Sequence, residues 1–386
     1  MNVLQQAELL RIKANSQLNP EVKSTLGQFF TPYPISLYMT SLFKRIEGNI
    51  SLLDPGCGSG LLTAAFIDES LRRRKINFIN IHAFDIDSAI QPFIAETLAL
   101  CLEKSEKHGI STNVNFILDD FIFNKTKNAG LFASQKSGYS HIIMNPPYKK
   151  IASNSSHRQA LKSVGIETVN LYTGFVALAL QQLDQGGELV AIIPRSFCNG
   201  VYYQSFREFV LRETAINHIH IFDSRSKAFA DNHVLQENII IHLIKGVKQQ
   251  YVTITSSPTA DFKIDPSTQS VTTTDLTIRQ VPFTAIVKPN DKRQFIHIAA
   301  NERDQAVIDR LSYFNTSLEN LGLQVSTGAV VDFRLKDDLR SNIENNAVPL
   351  IYPTHLNGGV NWPKDSKKPN AISISDQSRS WLWKNS

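Results

Sequence analysis

The tetrapeptide Asn145-Pro146-Pro147-Tyr148 contains the residue types of a site that could activate an aromatic amine. Such an amine is a poor nucleophile, because its lone pair is delocalised into the ring. The Asn145 side-chain oxygen can accept one of its N–H bonds and the Pro146 carbonyl can accept the other, which makes the nitrogen more nucleophilic. Two consecutive prolines stiffen the loop, and the Tyr148 ring can stack on a flat substrate. The alternative is a Pro-Pro turn that only ends a strand.

A glycine-rich segment, residues 54–60, lies earlier in the chain between an apolar run and a helical pattern. Glycine occupies positions 56, 58 and 60, where the missing side chains would let the backbone approach a ligand. No Lys-Ser/Thr pair follows Gly60, so the segment is not a Walker A loop, and its G-x-G-x-G spacing departs from the dinucleotide fingerprint. The Asp54 carboxylate would repel a pyrophosphate and favour a cofactor with a positive centre. S-adenosylmethionine, with its sulfonium and ammonium groups, fits this requirement.

Two further acidic segments follow predicted strands. Asp85 ends the second strand, where an acid can accept from the hydroxyls of a ribose, and Asp87 is placed to cap the next helix. Asp120 ends the third strand, where its carboxylate can accept from the amino group of an adenine and Phe121 can stack on that ring. Each acid alone could be an ordinary cap or loop residue. Their occurrence at successive strand ends favours a cofactor site.

Strand-like and helix-like patterns alternate up to residue 245. The alternation predicts an α/β fold with a doubly wound, mostly parallel sheet of about seven strands and helices on both faces. The connection between the last two strands, residues 216–222 and 236–244, is too short for a crossover helix, so this pair is expected to be antiparallel. Beyond residue 245 the chain is rich in Thr and Ser. We therefore predict a first domain over residues 1–245 and a second, smaller β/loop region over residues 246–386.

Composition restricts the class of protein. The chain has 386 residues, of which 42% are hydrophobic and 19% charged, and its net charge is +5. This mild positive charge permits nucleic-acid binding without requiring it. No run approaches the roughly 20 apolar residues of a membrane span, so no membrane association is expected. Cys57, Cys101 and Cys198 have neither metal-ligand nor disulfide-framework spacing, so we expect no metal site and a reducing, cytoplasmic location.

The order of these motifs resembles that of a known family. Residues 27–32, residues 54–60, Asp85, the pair Asp120-Phe121 and the tetrapeptide at 145–148 follow one another as in adenine-specific DNA methyltransferases of restriction–modification systems. The pattern is similar to the TaqI-like group, and most similar to its PstI/BsuBI-type branch. Methylases of RNA and of protein glutamine share the Asn-Pro-Pro-Tyr motif. The Phe-Phe-Thr-Pro sequence ahead of the glycine segment favours the DNA methyltransferases over these other methylases.

The resemblance implies a role for each matching residue and a class I S-adenosylmethionine-dependent methyltransferase fold. Thr31, Asp54 and the glycines at 56, 58 and 60 would line the methionine part of the cofactor. Asp85 would hold the ribose, and Asp120 with Phe121 would hold the adenine. The target amine and its base would be bound by Asn145, Pro146, Pro147 and Tyr148. Phe229 is our candidate for the opposite face of the base.

The resemblance also implies the reaction and the partners. An adenine flipped out of double-stranded DNA would receive the methyl group on its exocyclic amine, which protects host DNA from a cognate restriction endonuclease encoded nearby, with no stable complex. Residues 1–245 would be the catalytic domain and residues 246–386 a DNA target-recognition region, either truncated relative to longer relatives or completed by another chain. No Pro-Cys pair occurs in the chain, which argues against cytosine ring-carbon methylation. The alternatives are a methylase of RNA or protein glutamine and a non-catalytic DNA-binding relative.

Overall fold

A computed structural model describes residues 2–73, 75–127, 138–222, 237–311, 313–314, 316, 318–324 and 328–382. The chain divides into two compact units, Met1–Val307 and Ile308–Ser386. The strands are β1 (Gly48–Pro55), β2 (Ile76–Asp85), β3 (Ser111–Leu118), β4 (Tyr139–Met144), β5 (Leu183–Pro194), β6 (Thr214–Phe222), β7 (Asn238–Lys245), β8 (Tyr251–Ser257), β9 (Lys263–Ile264), β10 (Val271–Thr272), β11 (Thr277–Pro282), β12 (Leu339–Arg340), β13 (Ala347–Pro349) and β14 (Ala371–Ser373).

The described α-helices lie before, between and after these strands. They are α1 (Val3–Gln17), α2 (Pro20–Leu26), α3 (Tyr33–Ser41), α4 (Leu61–Arg73), α5 (Gln91–Lys107), α6 (Phe121–Lys127), α7 (Ser156–Ser163), α8 (Leu171–Gln182), α9 (Gln204–Glu213), α10 (Phe283–Ile286), α11 (Glu302–Leu311) and α12 (Asp376–Arg379). A search of the described helices finds none with the length and apolar character needed to cross a membrane.

A nine-stranded sheet forms the centre of the first unit, in the order β11-β8-β6-β7-β5-β4-β1-β2-β3. Strands β1 to β5 pair in parallel, whereas β7 runs antiparallel to both β5 and β6. Strand β8 pairs in parallel with β6, and β11 runs antiparallel to β8. The predicted doubly wound, mostly parallel sheet is therefore confirmed, together with its antiparallel last pair.

Helices cover both faces of the sheet. Successive residues of a strand point to opposite sides, so neighbouring apolar residues enter different hydrophobic clusters. Leu53 and Ile142 belong to one hydrophobic cluster, which α8 and α9 complete. Their neighbours Leu52 and Ile143 belong to the other cluster, which α1, α3 and α4 complete. Helices on both faces leave the carboxyl ends of the parallel strands as the accessible edge of the sheet.

The sheet has nine described strands, whereas the sequence predicts about seven. Val252 and Ile254 of β8 are buried, and β8 with β11 extends the sheet past β6. The segment is rich in Thr and Ser and has few apolar residues, so its sequence pattern did not predict the strands β8 and β11. As a result, the first compact unit ends at Val307, whereas the predicted domain boundary lies at residue 245.

The second unit is small and has its own core. Strands β12, β14 and β13 form an antiparallel sheet in that order. Its buried side chains are Leu335, Leu350 and Ile372. This arrangement confirms the predicted smaller carboxyl-terminal β/loop region.

Candidate active site

The carboxyl ends of β1, β2, β3 and β4, which are neighbours in the sheet, surround a cavity. We call it the glycine-turn cavity. Of the residues singled out in the sequence, eight line it: Thr31, Gly56, Gly58, Asp85, Asp120, Phe121, Asn145 and Pro147. Parallel strands end at the same edge of a sheet, so motifs far apart in the chain converge there.

The glycine turn presents its backbone to this cavity. Gly58 has φ +54°, and a Cβ there would lie 2.9 Å from the Phe30 ring, so a side chain does not fit. The Gly58 N–H donates to Asp85 Oδ2 over 2.8 Å, and the N–H groups of Gly56 and Cys57 donate to the Phe84 carbonyl. These bonds fix the turn against the end of β2.

Asp85 is buried and its orientation is fixed. Oδ2 accepts from Gly58, and Oδ1 accepts from the Asp87 N–H over 2.9 Å. Burial raises the pKa of Asp85, although both backbone hydrogen bonds oppose this shift. Asp87 accepts from the Ala89 N–H and caps the following helical turn, as predicted.

Asp54 lies behind the cavity and does not line it. Thr63 donates to its Oδ2 over 2.7 Å, while Oδ1 has no hydrogen-bond partner within the described part of the chain. Burial is the main cause that raises the pKa of Asp54 to about 7. Gly60 does not line the cavity either, because a Cβ there would face Ile94 of α5. The structure thus brings Asp54 and Gly60 next to the turn, but not to its open side.

The Asp120 carboxylate is held by two donors. His157 Nε2 donates to Oδ2 over 2.8 Å, and the Phe123 N–H donates to Oδ1 over 3.0 Å. Burial alone would raise the pKa of Asp120, but the bonds from His157 and Phe123 outweigh it, and the pKa lies below its ordinary value. His157 also stacks on the Phe123 ring, with the ring centroids 4.5 Å apart. Next to Asp120, the Phe121 ring is buried.

Asn145 is oriented by the segment that precedes α3. Its Nδ2 donates to the Phe29 carbonyl over 2.8 Å and to Thr31 Oγ1 over 3.0 Å. A carbonyl can only accept, so the atom that faces Phe29 must be the amide nitrogen. This leaves Oδ1 as the outward acceptor, and no donor within the described residues bonds to it.

The rest of the tetrapeptide is equally rigid. The Tyr148 hydroxyl donates to the Ile192 carbonyl over 3.0 Å, and burial raises its pKa. The Tyr148 N–H donates to the Gly27 carbonyl over 3.4 Å. Pro146 is buried, and its carbonyl receives no hydrogen bond from the described part of the chain. The Asn145 side-chain oxygen and the Pro146 carbonyl are therefore two available acceptors, one residue apart.

A second cavity lies beyond Tyr148. We call it the tyrosine cavity, because Tyr148, Tyr172 and Tyr203 line it, together with Asn170 and residues after β5. Tyr172 meets Tyr148 edge to face, with the ring centroids 6.3 Å apart. Asn145 and Pro147 line the glycine-turn cavity while Tyr148 lines the tyrosine cavity, so the tetrapeptide borders both.

The cysteines are unsuited to covalent catalysis. Cys57, Cys101 and Cys198 are buried free thiols. Burial is the main cause that raises the pKa of all three thiols, including that of Cys57 in the glycine turn. A nucleophilic thiolate would require the opposite shift.

Sequence reasoning missed several residues of the site, and one candidate cannot be placed. Phe229 lies outside the described residues. Arg11, His157, Tyr172 and Tyr203 line the cavities, although no local motif marks them. Their positions depend on tertiary packing.

Comparison with known proteins places the chain among methylases. A family model described as the Eco57I restriction-modification methylase matches residues 59–229. The chain is 43% identical over 381 residues to the type II methyltransferase M.BsuBI of Bacillus subtilis. The aligned residues cover 97% of this chain and 72% of that protein. The chain is 40% identical over 378 residues to the type II methyltransferase M.PstI of Providencia stuartii, again covering 97% of this chain and 72% of that protein.

A solved structure agrees at the level of the fold. It comes from Vibrio vulnificus YJ016 and is described as a modification subunit of a type I restriction enzyme. The TM-score is 0.53 at 14% sequence identity, over 75% of this chain and 63% of that chain.

Proposed function

The chain belongs to the family of type II methyltransferases that includes M.BsuBI and M.PstI, and from this membership we propose that it methylates the exocyclic amino group of an adenine in double-stranded DNA. The resemblance to the PstI/BsuBI-type branch is confirmed, as is S-adenosylmethionine as the cofactor. The enzyme is a DNA methyltransferase of the restriction–modification type. The target base, the mechanism and the residue roles are our proposal.

One observation above all others supports an exocyclic amine as the target, namely the two available acceptors at Asn145 and Pro146, and the choice of adenine comes from the family resemblance. An exocyclic amine has two N–H bonds, and Oδ1 of Asn145 and the carbonyl of Pro146 can each accept one. Because Nδ2 of Asn145 is held by Phe29 and Thr31, Oδ1 stays available without any rearrangement. Such a preorganised pair stabilises the positive charge that develops on the nitrogen during methyl transfer.

The glycine-turn cavity fits the cofactor. A Cβ at Gly58 would meet the Phe30 ring, so glycine at this position lets the turn and Phe30 pack together as one wall of the cavity. Each oxygen of Asp85 and Asp120 accepts one hydrogen bond from the protein, and a carboxylate oxygen can accept a second. Asp85 would then hold the ribose hydroxyls, Asp120 the adenine amine, and Phe121 the adenine ring. The bound sulfonium supplies an electrophilic methyl group.

The residues of the chain position the acceptor base for direct transfer. Asn145 and Pro146 would accept the two N–H bonds of the amine, so its lone pair is directed toward the methyl carbon. As the N–C bond forms, the methyl–sulfur bond would break with its electron pair left on sulfur, and the nitrogen would release one of its two protons to solvent. Tyr148, held by its hydroxyl at Ile192, supplies a ring face for stacking. No covalent bond to the enzyme is required, in agreement with the neutral, buried thiol of Cys57.

The substrate must leave the duplex to reach this corner. A base inside the helix cannot reach a buried methyl group, so flipping it out costs a few kcal/mol, which contacts in the pocket must offset. The tyrosine cavity, next to Tyr148, is the space that we assign to the extruded base. Phe229 remains our candidate for its second stacking face.

The biological role follows from the same proposal. Methylation would protect host DNA in the cytoplasm from a cognate restriction endonuclease. We assign methyl transfer to residues 1–245 and DNA target recognition to residues 246–386. Because β8 and β11 belong to the catalytic sheet, the second unit, Ile308–Ser386, is the part of that range to examine first.

The proposal is tested by the identity of the product. Purified protein is incubated with methyl-labelled S-adenosylmethionine and, in parallel, with duplex DNA of mixed sequence, RNA and total protein. Nucleosides from the DNA are then separated by mass spectrometry. We expect label in DNA only, as N6-methyladenine. Label on cytosine, or in RNA or protein instead of DNA, would contradict the proposal.

A further inference from the structure

Four polar groups meet on one wall of the tyrosine cavity. They belong to Asn170, Tyr172, Ser196 and Tyr203, which all line the cavity. Asn170 and Tyr172 are buried, with 5% and 2% of their surface exposed, whereas Tyr203 is half-buried and Ser196 is exposed. The rings of Tyr172 and Tyr203 are 6.0 Å apart between centroids. The cluster is therefore packed from behind and open toward the cavity.

The hydrogen bonds in the cluster converge on the Tyr203 hydroxyl. Asn170 Nδ2 donates to it, and Ser196 Oγ donates to it over 3.4 Å. Ser196 has a single O–H, which it donates to Tyr203. In the 3.1 Å bond between Tyr172 and Ser196, Tyr172 is then the donor. Burial is the main cause that raises the pKa of Tyr172; the bond to Ser196 opposes this shift and the adjacent Tyr203 hydroxyl adds to it, so Tyr172 stays a neutral donor.

These bond directions determine what the hydrogen of the Tyr203 hydroxyl can do. A phenol has one O–H to donate and an oxygen that can accept. With the Asn170 amide oriented as donor, the Tyr203 oxygen accepts from Asn170 and Ser196, and a Tyr203 hydrogen that is not given to the neighbouring Tyr172 hydroxyl is available to an acceptor in the cavity. No hydrogen bond within the described residues uses Tyr203 as the donor to either partner.

The rings and hydroxyls of the cavity favour a flat heterocycle with hydrogen-bond acceptors as the occupant. Lys150 and Arg195 lie at the rim, where Lys150 is exposed and the Arg195 guanidinium is 3.7 Å from the Glu237 carboxylate. Tyr148 and Tyr172 present rings to the same space. An adenine satisfies both features, because it has flat faces and three ring nitrogens, N1, N3 and N7, that accept hydrogen bonds.

We infer that Tyr203 donates a hydrogen bond to a ring nitrogen of the extruded adenine and is a specificity-determining residue for the target base. The inference depends on the proposed function, because it requires adenine to be the methylated base. Asn170 and Ser196 act through Tyr203 and are positioning residues.

The experiment pairs one variant with three substrates. The target adenine in a duplex is replaced in turn by 1-deaza-, 3-deaza- and 7-deazaadenine, each of which exchanges one ring nitrogen for C–H. Wild-type enzyme should lose about tenfold in kcat/KM on one of these analogues, as expected for one lost hydrogen bond in a desolvated pocket. Tyr203→Phe should lose about tenfold in kcat/KM on adenine. Replacing adenine by the sensitive analogue should cause this variant no further loss.

Non-additivity separates direct contact from a structural role. If Tyr203 only supported the fold, the losses from the variant and the analogue would multiply to about a hundredfold, which would overturn the inference. Equal activity of wild type on all four bases would overturn it as well. Failure of the proposed function is distinct, because it would appear as absence of N6-methyladenine with wild-type enzyme on natural DNA.

Controls cover folding. Tyr202→Phe removes a hydroxyl from the neighbouring residue, which is 83% exposed and does not line the cavity, so its kinetics should equal those of wild type. Calorimetric binding of S-adenosylmethionine reports whether the glycine-turn cavity is intact in Tyr203→Phe. Should that variant fail to fold, Ser196→Ala removes one donor to Tyr203 from an exposed position. It should then show a smaller loss on adenine and a reduced response to the sensitive analogue, and an unchanged response would refute the inference.

Discussion

The glycine-turn cavity and the tyrosine cavity border the same tetrapeptide but are built differently. The first takes its polar groups from strand ends, and backbone N–H groups hold carboxylates such as Asp85. The second takes hydroxyl and amide groups from the start of α8, the turn after β5 and the turn before α9, and these side chains hold one another. The glycine-turn cavity thus depends largely on groups at strand ends that the parallel sheet brings together, and the tyrosine cavity depends on side chains that hold one another.

This difference predicts that variants will separate into kinetic classes. Changes around the glycine turn should alter cofactor affinity, changes around Tyr203 should alter discrimination of the base, and changes at Asn145 should alter the chemical step. The expected effects follow from the largest to the smallest.

Asn145→Ala should have the largest effect. It removes one of the two acceptors for the target amine, so methyl transfer in a single turnover should slow by about 100- to 1000-fold. Cofactor affinity, measured by calorimetry, should change far less. Asn154→Ala, at an exposed position outside both cavities, is the matched control and should behave as wild type. An unchanged rate in Asn145→Ala would show that the amine is activated elsewhere.

Gly58→Ala should act on the cofactor side alone. Its Cβ would lie 2.9 Å from Phe30 in a backbone with φ +54°, so the turn or the Phe30 ring, both of which line the cavity, must shift. We expect cofactor affinity to fall by about tenfold or more, since about 1–2 kcal/mol of backbone strain adds to the clash. Gly109→Ala is the control: it has φ +72° but open space around it, so it isolates the strain. Equal cofactor affinity in both variants would refute the role assigned to Gly58.

Thr31→Val should have an intermediate effect on the chemical step. It removes the hydroxyl that accepts from Asn145 Nδ2, while the Phe29 carbonyl still holds the amide. One net hydrogen bond corresponds to a loss of about two- to tenfold in the single-turnover rate. Thr31→Ser keeps the acceptor and should retain the rate. A loss of cofactor affinity with an unchanged rate would instead support the contact with the methionine part of the cofactor that the family resemblance implies.

The sequence predicted which strand-end residues would lie together, for a physical reason. Asp85, Asp120 and the glycine turn directly follow apolar strands, and parallel strands bring such ends together without further information. The tyrosine cavity could not be predicted, because Tyr172 and Tyr203 lie in unremarkable helical surroundings and meet only through tertiary packing. Similarly, β8 was missed because two buried side chains, Val252 and Ile254, decide its place among polar residues.

Asp54 was predicted to line the same cavity as the glycines, yet it lies behind the turn, and the effect expected from its burial is on stability and not on methyl transfer. The folded chain raises its pKa from 3.8 to about 7, so the fold binds a proton that the unfolded chain releases. Stability attributable to this group is present at low pH and is lost as pH rises from about 4 to about 7. Asp54→Asn removes the titration, so its melting temperature relative to wild type should rise across that window and level off above it. A difference that is constant with pH would mean that Asp54 is ionised in the fold.

The central claim is that Asn145 and Pro146 accept both hydrogens of the target amine. A ternary crystal structure with duplex DNA and a cofactor analogue that cannot donate its methyl group measures this directly. The account predicts an extruded adenine whose amino nitrogen lies within about 2.7–3.2 Å of both Asn145 Oδ1 and the Pro146 carbonyl. An adenine bound with its amine away from these oxygens, or an Asn145 amide rotated to present Nδ2, would contradict it.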